Sequence, residues 1–175
     1  MIAIRKSVEA DSPAILAIIN EAAYAYRGVI PADRWHEPYM PPDELVREIA
    51  AGVVFWVAEQ DGRLSGVMGI QDKGDVALVR HAYVSTTTQR SGVGTSLLRH
   101  VESLVDKPIL IGTWADASWA IGFYQRNGFT VVPTDVKDRL LRTYWSLPVR
   151  QVDTSVVLAS RRWMETQPWT SADNL

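Results

Sequence analysis

One stretch of the sequence decides the fold: Ala82-Tyr83-Val84-Ser85-Thr86-Thr87-Thr88-Gln89-Arg90-Ser91-Gly92-Val93-Gly94-Thr95. It begins at the end of a strand-like run, continues through polar residues, and reaches two glycines that open a segment with helical apolar spacing. Glycines let the backbone approach a ligand closely, and the free amides at the start of a helix suit a phosphate. The stretch therefore predicts a phosphate-binding loop between a strand and a helix.

The sequence of this loop does not match two other nucleotide-binding motifs. A P-loop needs a lysine followed by serine or threonine after its last glycine, but Thr95 and Ser96 follow Gly94. A dinucleotide-binding fingerprint that starts at Gly92 needs a glycine where Leu97 stands. An isolated Gly-x-Gly also occurs in simple structural turns, so a purely structural turn is the alternative at this point.

The chain before the loop predicts a strand, two helices and an antiparallel meander. Residues 2–5 alternate like a short strand, and Asp11 precedes a helical pattern as its N-cap. A second helix over about 43–51 has Leu45, Val46 and Ile49 as its expected apolar face. Three strand-like runs then follow, at 53–59, 64–71 and 75–84, and short glycine turns join them.

The chain after the loop completes an α/β domain. A helix from Gly92 separates the strand ending at Val84 from a short strand at Ile109, so these two strands should be parallel. We expect a single α/β domain of the α+β kind over residues 1–160, with a mixed, mostly antiparallel sheet of about seven strands. About four helices should flank this sheet, and residues 161–175, which lack periodicity, are expected to form a loose tail. Further predicted segments are a helix over 117–127, a short helix within 137–144, and strands at 129–132 and 155–159.

Composition excludes several classes of function. The 175 residues carry a formal net charge of -2, which disfavours a nucleic-acid partner, and no cysteine, which excludes disulfides and thiol chemistry. The sequence has no apolar run long enough for a signal peptide or a membrane span, so we expect a cytoplasmic protein with no membrane partner. The pair His36-Glu37 lacks further ligands at metal-binding spacing, so no metal site is predicted.

Two motifs resemble those of the GNAT superfamily of acetyltransferases. Gln89-Arg90-Ser91-Gly92-Val93-Gly94 matches the pattern Q/R-x-x-G-x-G/A. The segment Ala120-Ile121-Gly122-Phe123-Tyr124-Gln125-Arg126-Asn127-Gly128-Phe129 resembles the second pattern, A-x-x-F-Y-x-x-x-G-F. The order of elements from Ile2 to Ala159 also looks like the GNAT fold, with its parallel pair splayed apart at the centre of the sheet.

The resemblance implies an acetyl-CoA-dependent N-acetyltransferase and a set of residues that bind the acyl donor. Strand backbone would pair with the pantetheine arm, and loop amides would hold the pyrophosphate. Ala117 stands where the superfamily often has an asparagine, so that polar contact to the donor is either missing or supplied by Ser118. The implied donor-binding residues are Ala82, Tyr83, Val84, Gln89, Arg90, Ser91, Gly92, Val93, Gly94, Thr95 and Ser118.

The resemblance also implies a general acid, whereas the general base stays open. Tyr124 matches the residue that protonates the leaving thiolate; its alternative is a tyrosine of the core. Leu78 and Arg80 occupy the strand positions where many relatives carry a carboxylate or histidine as the general base, and neither suits that role. His81 is the candidate base, although strict alternation points it to the opposite sheet face unless a bulge intervenes. A packed histidine, a water relay or capture of the neutral amine are the alternatives.

Several residues are candidates for binding the acceptor, which we expect to be a small molecule with a primary amine. Arg80 suits an acceptor that carries an acidic group, and its alternative is a salt bridge to a neighbouring acid. Tyr26 lies in a proline-rich loop, and Trp114 ends the short strand. The connection 133–153 is a candidate lid or homodimer contact. The competing function is a non-catalytic module that binds or senses acyl-CoA.

Overall fold

The computed structural model describes residues 1–167, whose backbone contacts form two compact units. The first unit comprises Met1–Asp72 and Val79–Val105, and the second comprises Lys73–Leu78 and the chain from Asp106 onward. The strand β4, Ala77–Val84, contributes its first two residues to the second unit and the remainder to the first.

The first unit contains a meander of strands and three α-helices. Its strands are β1 (Ala3–Lys6), β2 (Val53–Gln60), β3 (Arg63–Asp72) and most of β4, and they lie in the order β1-β2-β3-β4. Antiparallel register pairs Ala3 with Glu59 and Trp56 with Met68, as the turn at Asp61-Gly62 predicts. The helices are α1 (Ser12–Ala23), α2 (Pro42–Ala50) and α3 (Val93–Ser103).

A close contact between α3 and the sheet fixes the start of this helix. A Cβ atom added to Gly66 on β3 would lie 2.7 Å from Cγ1 of Val93 and 3.0 Å from Cδ1 of Leu97. Both side chains are buried, so the absence of a side chain at Gly66 lets α3 pack directly onto the strand. The rest of this core combines α1, α2 and the strands through Ile15, Ile18, Ile19, Met40, Leu45, Val53, Phe55, Val57 and Val67.

The second unit contains the remaining strands and four helices. The start of β4 neighbours β5 (Ile109–Trp114), which pairs antiparallel with β7 (Ser155–Ala159), and β7 pairs with β6 (Thr130–Val131). The Ala77 amide donates to the Pro108 carbonyl (2.9 Å) at the start of the parallel pair. The helices are α4 (Ser118–Arg126), α5 (Thr134–Tyr144), α6 (Val149–Asp153) and α7 (Arg161–Glu165).

The predicted fold class is confirmed: seven strands, mostly antiparallel, with β4 and β5 parallel. Two details differ from the predictions. Helices α6 and α7 were not predicted, and α7 occupies part of the segment expected to be a loose tail because Trp163 is buried in the core of the second unit. Residues 168–175, the rest of that segment, lie outside the described residues.

The apolar face predicted for α2 is wrong. Leu45 is 2% exposed, but Val46 and Ile49 are 66% and 49% exposed. The buried face therefore contains Leu45 and the residue one turn later, Glu48, whose side chain is 19% exposed. None of the helices formed by residues 1–167 is long and apolar enough to cross a bilayer.

Candidate functional site

An irregularity in β4 changes the direction of its polar side chains. His81 has a φ angle of +51°, which is left-handed backbone in a strand. Such backbone interrupts the alternation of side chains and is the geometry of a bulge. The exception considered for His81 in the sequence, a bulge that interrupts strict alternation, is therefore the one that the structure shows.

Arg80 and His81 contact the same carboxylate. Nη2 of Arg80 lies 2.9 Å from Oε2 of Glu48, and Nε2 of His81 lies 2.7 Å from that oxygen. Gln71 on β3 accepts a hydrogen bond from Nη1 of Arg80 (2.9 Å) and donates one to the Ala51 carbonyl (2.9 Å). The side chains of Arg80, His81 and Glu48 are 23%, 15% and 19% exposed, so this cluster is largely buried.

Glu48 was missed in the sequence. The available signal was its spacing of three residues from Leu45, which places it on the same face of α2 as a core residue. A carboxylate on a buried face needs a partner, because an unpaired buried charge is costly. Arg80 and His81 are those partners.

The loop after β4 is held by hydrogen bonds from backbone and side-chain donors to backbone carbonyls. The Ser85 amide donates to the Ser65 carbonyl (2.9 Å), and Oγ1 of Thr88 donates to that carbonyl as well (3.2 Å). Oγ of Ser91 donates to the Thr88 carbonyl (2.5 Å). These contacts anchor the loop to β3, whereas Gln89, Arg90 and Ser91 stay exposed.

Gly92 is the N-cap of α3, as predicted, and leaves the start of the helix open. Its φ angle is +86°, and a Cβ atom built there would meet no atom within 4 Å. The first helical hydrogen bond runs from the Ser96 amide to the Gly92 carbonyl (2.9 Å), so Val93, Gly94 and Thr95 precede it. Their amides have no acceptor within the helix, and Gly92 has no side chain to cap them. The turn thus presents donors at the positive end of a helix dipole.

Aromatic residues of the proline-rich loop surround Tyr83. Its ring makes edge contacts with Tyr26 and Tyr39, each at a centroid distance of 6.3 Å. Tyr39 stacks on Trp35 at 5.7 Å. The loop is anchored at its end by Asn20, whose side-chain amide donates to the Met40 carbonyl (3.0 Å) and accepts from the Met40 amide (2.7 Å). The predicted acceptor residue Tyr26 therefore lies against the predicted donor residue Tyr83.

The remaining predicted site residues belong to the second unit. Tyr124 lies on α4, is 7% exposed, and packs against the rings of Phe123 (5.1 Å) and Phe129 (6.2 Å). Ser118 is the exposed first residue of α4, and Trp114 is the half-buried last residue of β5. Gly128, with a φ angle of +90°, ends the helix as its position in the motif predicts.

The segment between β6 and β7 is part of the core of the second unit. Val136, Leu140 and Leu141 of α5 are buried there, together with the half-buried Trp145. Oη of Tyr144 donates to Asp75 (2.7 Å), and burial together with this carboxylate raises the pKa of Tyr144 to about 12. This connection thus contributes buried side chains to its own unit.

Within residues 1–167, no group of three or more His, Cys, Asp or Glu side chains is placed to hold a metal ion. His36, half of the pair considered in the sequence, places Nδ1 2.9 Å from the Pro38 carbonyl and stacks near Tyr39. Glu37 interacts with Trp35 and Arg27. Both residues thus have local partners.

Comparison with known proteins agrees with the motifs. Residues 51–131, which include β2, β3, β4, the Gly92 turn, α3 and α4, match the family model described as an acetyltransferase (GNAT) domain. This segment is thus similar to a GNAT acetyltransferase domain. No curated protein sequence matches the chain.

Solved structures similar to this chain are N-acetyltransferases of several kinds. PaiA N-acetyltransferase from Thermoplasma acidophilum, solved with coenzyme A, is 19% identical with a TM-score of 0.70, over 91% of this chain and 98% of that one. N-acetylglutamate synthase from Neisseria gonorrhoeae, solved with coenzyme A and N-acetyl-glutamate, is 21% identical with a TM-score of 0.63, over 93% and 35%. The ribosomal-protein-S18-alanine N-acetyltransferase from Escherichia coli is 19% identical with a TM-score of 0.60, over 91% and 93%. At these identities the likeness establishes the fold.

Proposed function

We propose that this protein is an acetyl-CoA-dependent N-acetyltransferase that acts on the primary amine of a small molecule. The observation that carries the proposal is the turn at Gly92, which leaves the first amides of α3 without helical acceptors directly after β4. A diphosphate needs several aligned donors and room to approach, and this turn offers both. The matched family model and the coenzyme A in the structure of the Thermoplasma relative support the same donor.

The residues that we propose to bind the acyl donor are those expected from the sequence. Amides from Arg90 to Thr95 hold the pyrophosphate, and the backbone of Ala82 to Val84 pairs with the pantetheine arm. Gln89 and Arg90 are exposed at the edge of the turn, where a cation favours the negative phosphates. Ser118, at the first position of α4, supplies a further polar contact to the donor.

Transfer proceeds by direct attack of the amine on the thioester. A simple alkylammonium has a pKa of about 10.4, so the acceptor has to lose a proton before or during attack. His81 is the proposed base, and a strand amide near Tyr83 or Val84 stabilises the oxyanion that forms. Tyr124 then gives its phenolic proton to the departing thiolate, and the nitrogen–carbon bond replaces the carbon–sulfur bond.

Acceptor choice depends on Arg80 and on the proline-rich loop with Tyr26, Trp35 and Tyr39, called the aromatic loop below. Tyr26, in edge contact with Tyr83, and Trp114 are the proposed apolar contacts of the acceptor. Arg80 already pairs with Glu48 and Gln71, so an acidic group on the acceptor would have to share its guanidinium with these side chains. Acceptors with and without a carboxylate therefore form the two arms of the substrate test.

Thiol release from acetyl-CoA, measured with a panel of amino acids, polyamines, aminoglycosides and peptides, tests the proposal. We expect turnover with one class of small amine. Tyr124→Phe should lower kcat by about a hundredfold with little change in donor Kd, because a general acid contributes about 10²–10⁴ in rate. Tyr144→Phe, which also removes one hydroxyl from the second unit, is the matched control and should keep full activity. Tight donor binding without transfer to any amine would favour the acyl-CoA-sensing module instead.

A further inference from the structure

The carboxylate of Glu48 makes two bonds with consecutive residues of β4. Oε2 accepts from Nη2 of Arg80 at 2.9 Å and contacts Nε2 of His81 at 2.7 Å. Both distances are those of charge-assisted hydrogen bonds. Neither the superfamily motifs nor the comparisons assign a function to Glu48, which lies on α2 outside both motifs and before the matched residues.

The arrangement depends on the bulge at His81. In a regular strand, consecutive side chains point to opposite faces, so one carboxylate could not reach both residues. The φ angle of +51° turns His81 to the side used by Arg80. The imidazole also lies near the ring of Phe55, at a centroid distance of 6.0 Å and an angle of 32°. Carboxylate and phenyl ring together restrict the orientation of the imidazole.

The contact also determines which ring nitrogen carries the proton. An ionised carboxylate only accepts hydrogen bonds, so Nε2 of His81 has to be the donor. In a neutral imidazole with a hydrogen at Nε2, Nδ1 keeps its lone pair. Among the described residues, the structure records no hydrogen-bond partner for Nδ1 of His81.

We propose that Glu48 is the positioning residue for His81: it holds the Nε2–H tautomer, so that Nδ1 takes the proton from the attacking amine. This inference rests on the proposed acetyl transfer. In the proposed step, the amine proton moves to Nδ1 as the nitrogen–carbon bond forms, and Glu48 stabilises the resulting imidazolium. The thiolate that leaves is protonated by Tyr124, and solvent resets both groups.

Arg80 contacts the same carboxylate and so affects the interaction between Glu48 and His81. Its guanidinium shares Oε2 of Glu48 with the imidazole, so it draws part of the carboxylate charge away from His81. Arg80 from β4 thus competes with the imidazole for the same carboxylate oxygen.

A double-mutant cycle tests whether Glu48 acts through His81. We expect His81→Gln to lower kcat by about a hundredfold and Glu48→Ala by about tenfold. If Glu48 only positions His81, adding Glu48→Ala to His81→Gln should cost nothing further, since the two changes remove one function. Asp43→Asn, which removes an exposed ion pair with Arg47 on the same helix, is the control and should leave kcat unchanged. Costs that multiply in the double variant would overturn the proposal.

The tautomer can be read without catalysis. In ¹⁵N-labelled protein, His81 should show a protonated Nε2 and an unprotonated Nδ1, with the resonance assigned by its loss in His81→Gln. Glu48→Gln should keep this tautomer because the amide oxygen can still accept, and Glu48→Ala should mix the two forms. A protonated Nδ1 in the neutral ring of the wild type would overturn the proposal. The expected tautomer in a protein that acetylates no amine would instead reject the proposed function.

Discussion

The Gly92 turn allows a direct electrostatic test of the donor site. Gly92 has a φ angle of +86°, and a Cβ atom added there would meet no atom within 4 Å, so glutamine and glutamate both have room. Left-handed backbone costs a residue with a side chain about 1–2 kcal/mol. Gly92→Gln and Gly92→Glu should therefore lower the free energy of unfolding by about the same amount.

The two variants should differ in donor affinity, because only glutamate adds a negative charge beside the pyrophosphate. Two unit charges about 6 Å apart in water repel by about 0.7 kcal/mol, and about two such charges on the diphosphate double that energy. The sum of about 1.4 kcal/mol predicts a Kd for acetyl-CoA about tenfold higher for Gly92→Glu than for Gly92→Gln. Added salt should reduce this ratio, because exposed charges are screened over about 8 Å at physiological ionic strength.

Gly52 provides the matched control for both substitutions. It has a φ angle of +94° and equally open surroundings, and it follows the end of α2, outside the donor set. Gly52→Gln and Gly52→Glu should lose similar stability and bind acetyl-CoA like the wild type. Calorimetric titration gives the Kd values, and thermal unfolding gives the stabilities. Equal Kd values for the two Gly92 variants at low salt would refute the pyrophosphate assignment.

Three further predictions concern stability and titration. Gly66→Ala places a Cβ 2.7 Å from the side chain that begins α3, so overpacking should cost about 1–3 kcal/mol in urea unfolding; an unchanged midpoint would contradict this packing. Asp75→Asn should lower the pKa of Tyr144 from about 12, seen as tyrosinate absorbance at lower pH. Since the fold favours the neutral phenol, the stability from Tyr144 is present below pH about 10 and lost as pH rises towards 12. Arg5 holds the pKa of Asp11 below its usual value, so Asp11→Asn should cost about 1 kcal/mol near pH 7. This difference should disappear as acid protonates Asp11 in the wild type; a constant difference would argue against the ion pair.

The turn at Gly92 and the helix after it could be predicted from the sequence because their requirements are local. A left-handed N-cap needs a glycine, and the helix after it needs a regular apolar stripe; both are visible around Gly92. The parallel pairing of β4 and β5 followed from the helix between them in the chain. Local sequence patterns likewise predicted α4 and its end at Gly128.

The spacing from Leu45 could place Glu48 on the buried face of α2, but its partners Arg80 and His81 could not be predicted, because these contacts join distant segments. In the short helix α2, apolar residues lie on two faces, and only tertiary packing shows that Leu45 is buried while Val46 and Ile49 are exposed. Nothing in the residues around His81 marks the left-handed backbone, although histidine tolerates it better than most residues. Asp11 likewise occupies the predicted N-cap position, but its carboxylate binds Arg5 and the Val8 amide and does not cap α1.

The double hydrogen bond between Asn20 and Met40 closes the base of the aromatic loop. Because the side-chain amide satisfies both the N–H and the C=O of Met40, the chain enters α2 at a place that does not depend on the loop residues before it. The segment that carries Tyr26, Trp35 and Tyr39 can accordingly be replaced as a whole while the orientation of α2 is preserved. If the proposed function holds, acceptor preference can change on one side of this anchor while Glu48 and the proposed base His81, on the other side, keep their contact.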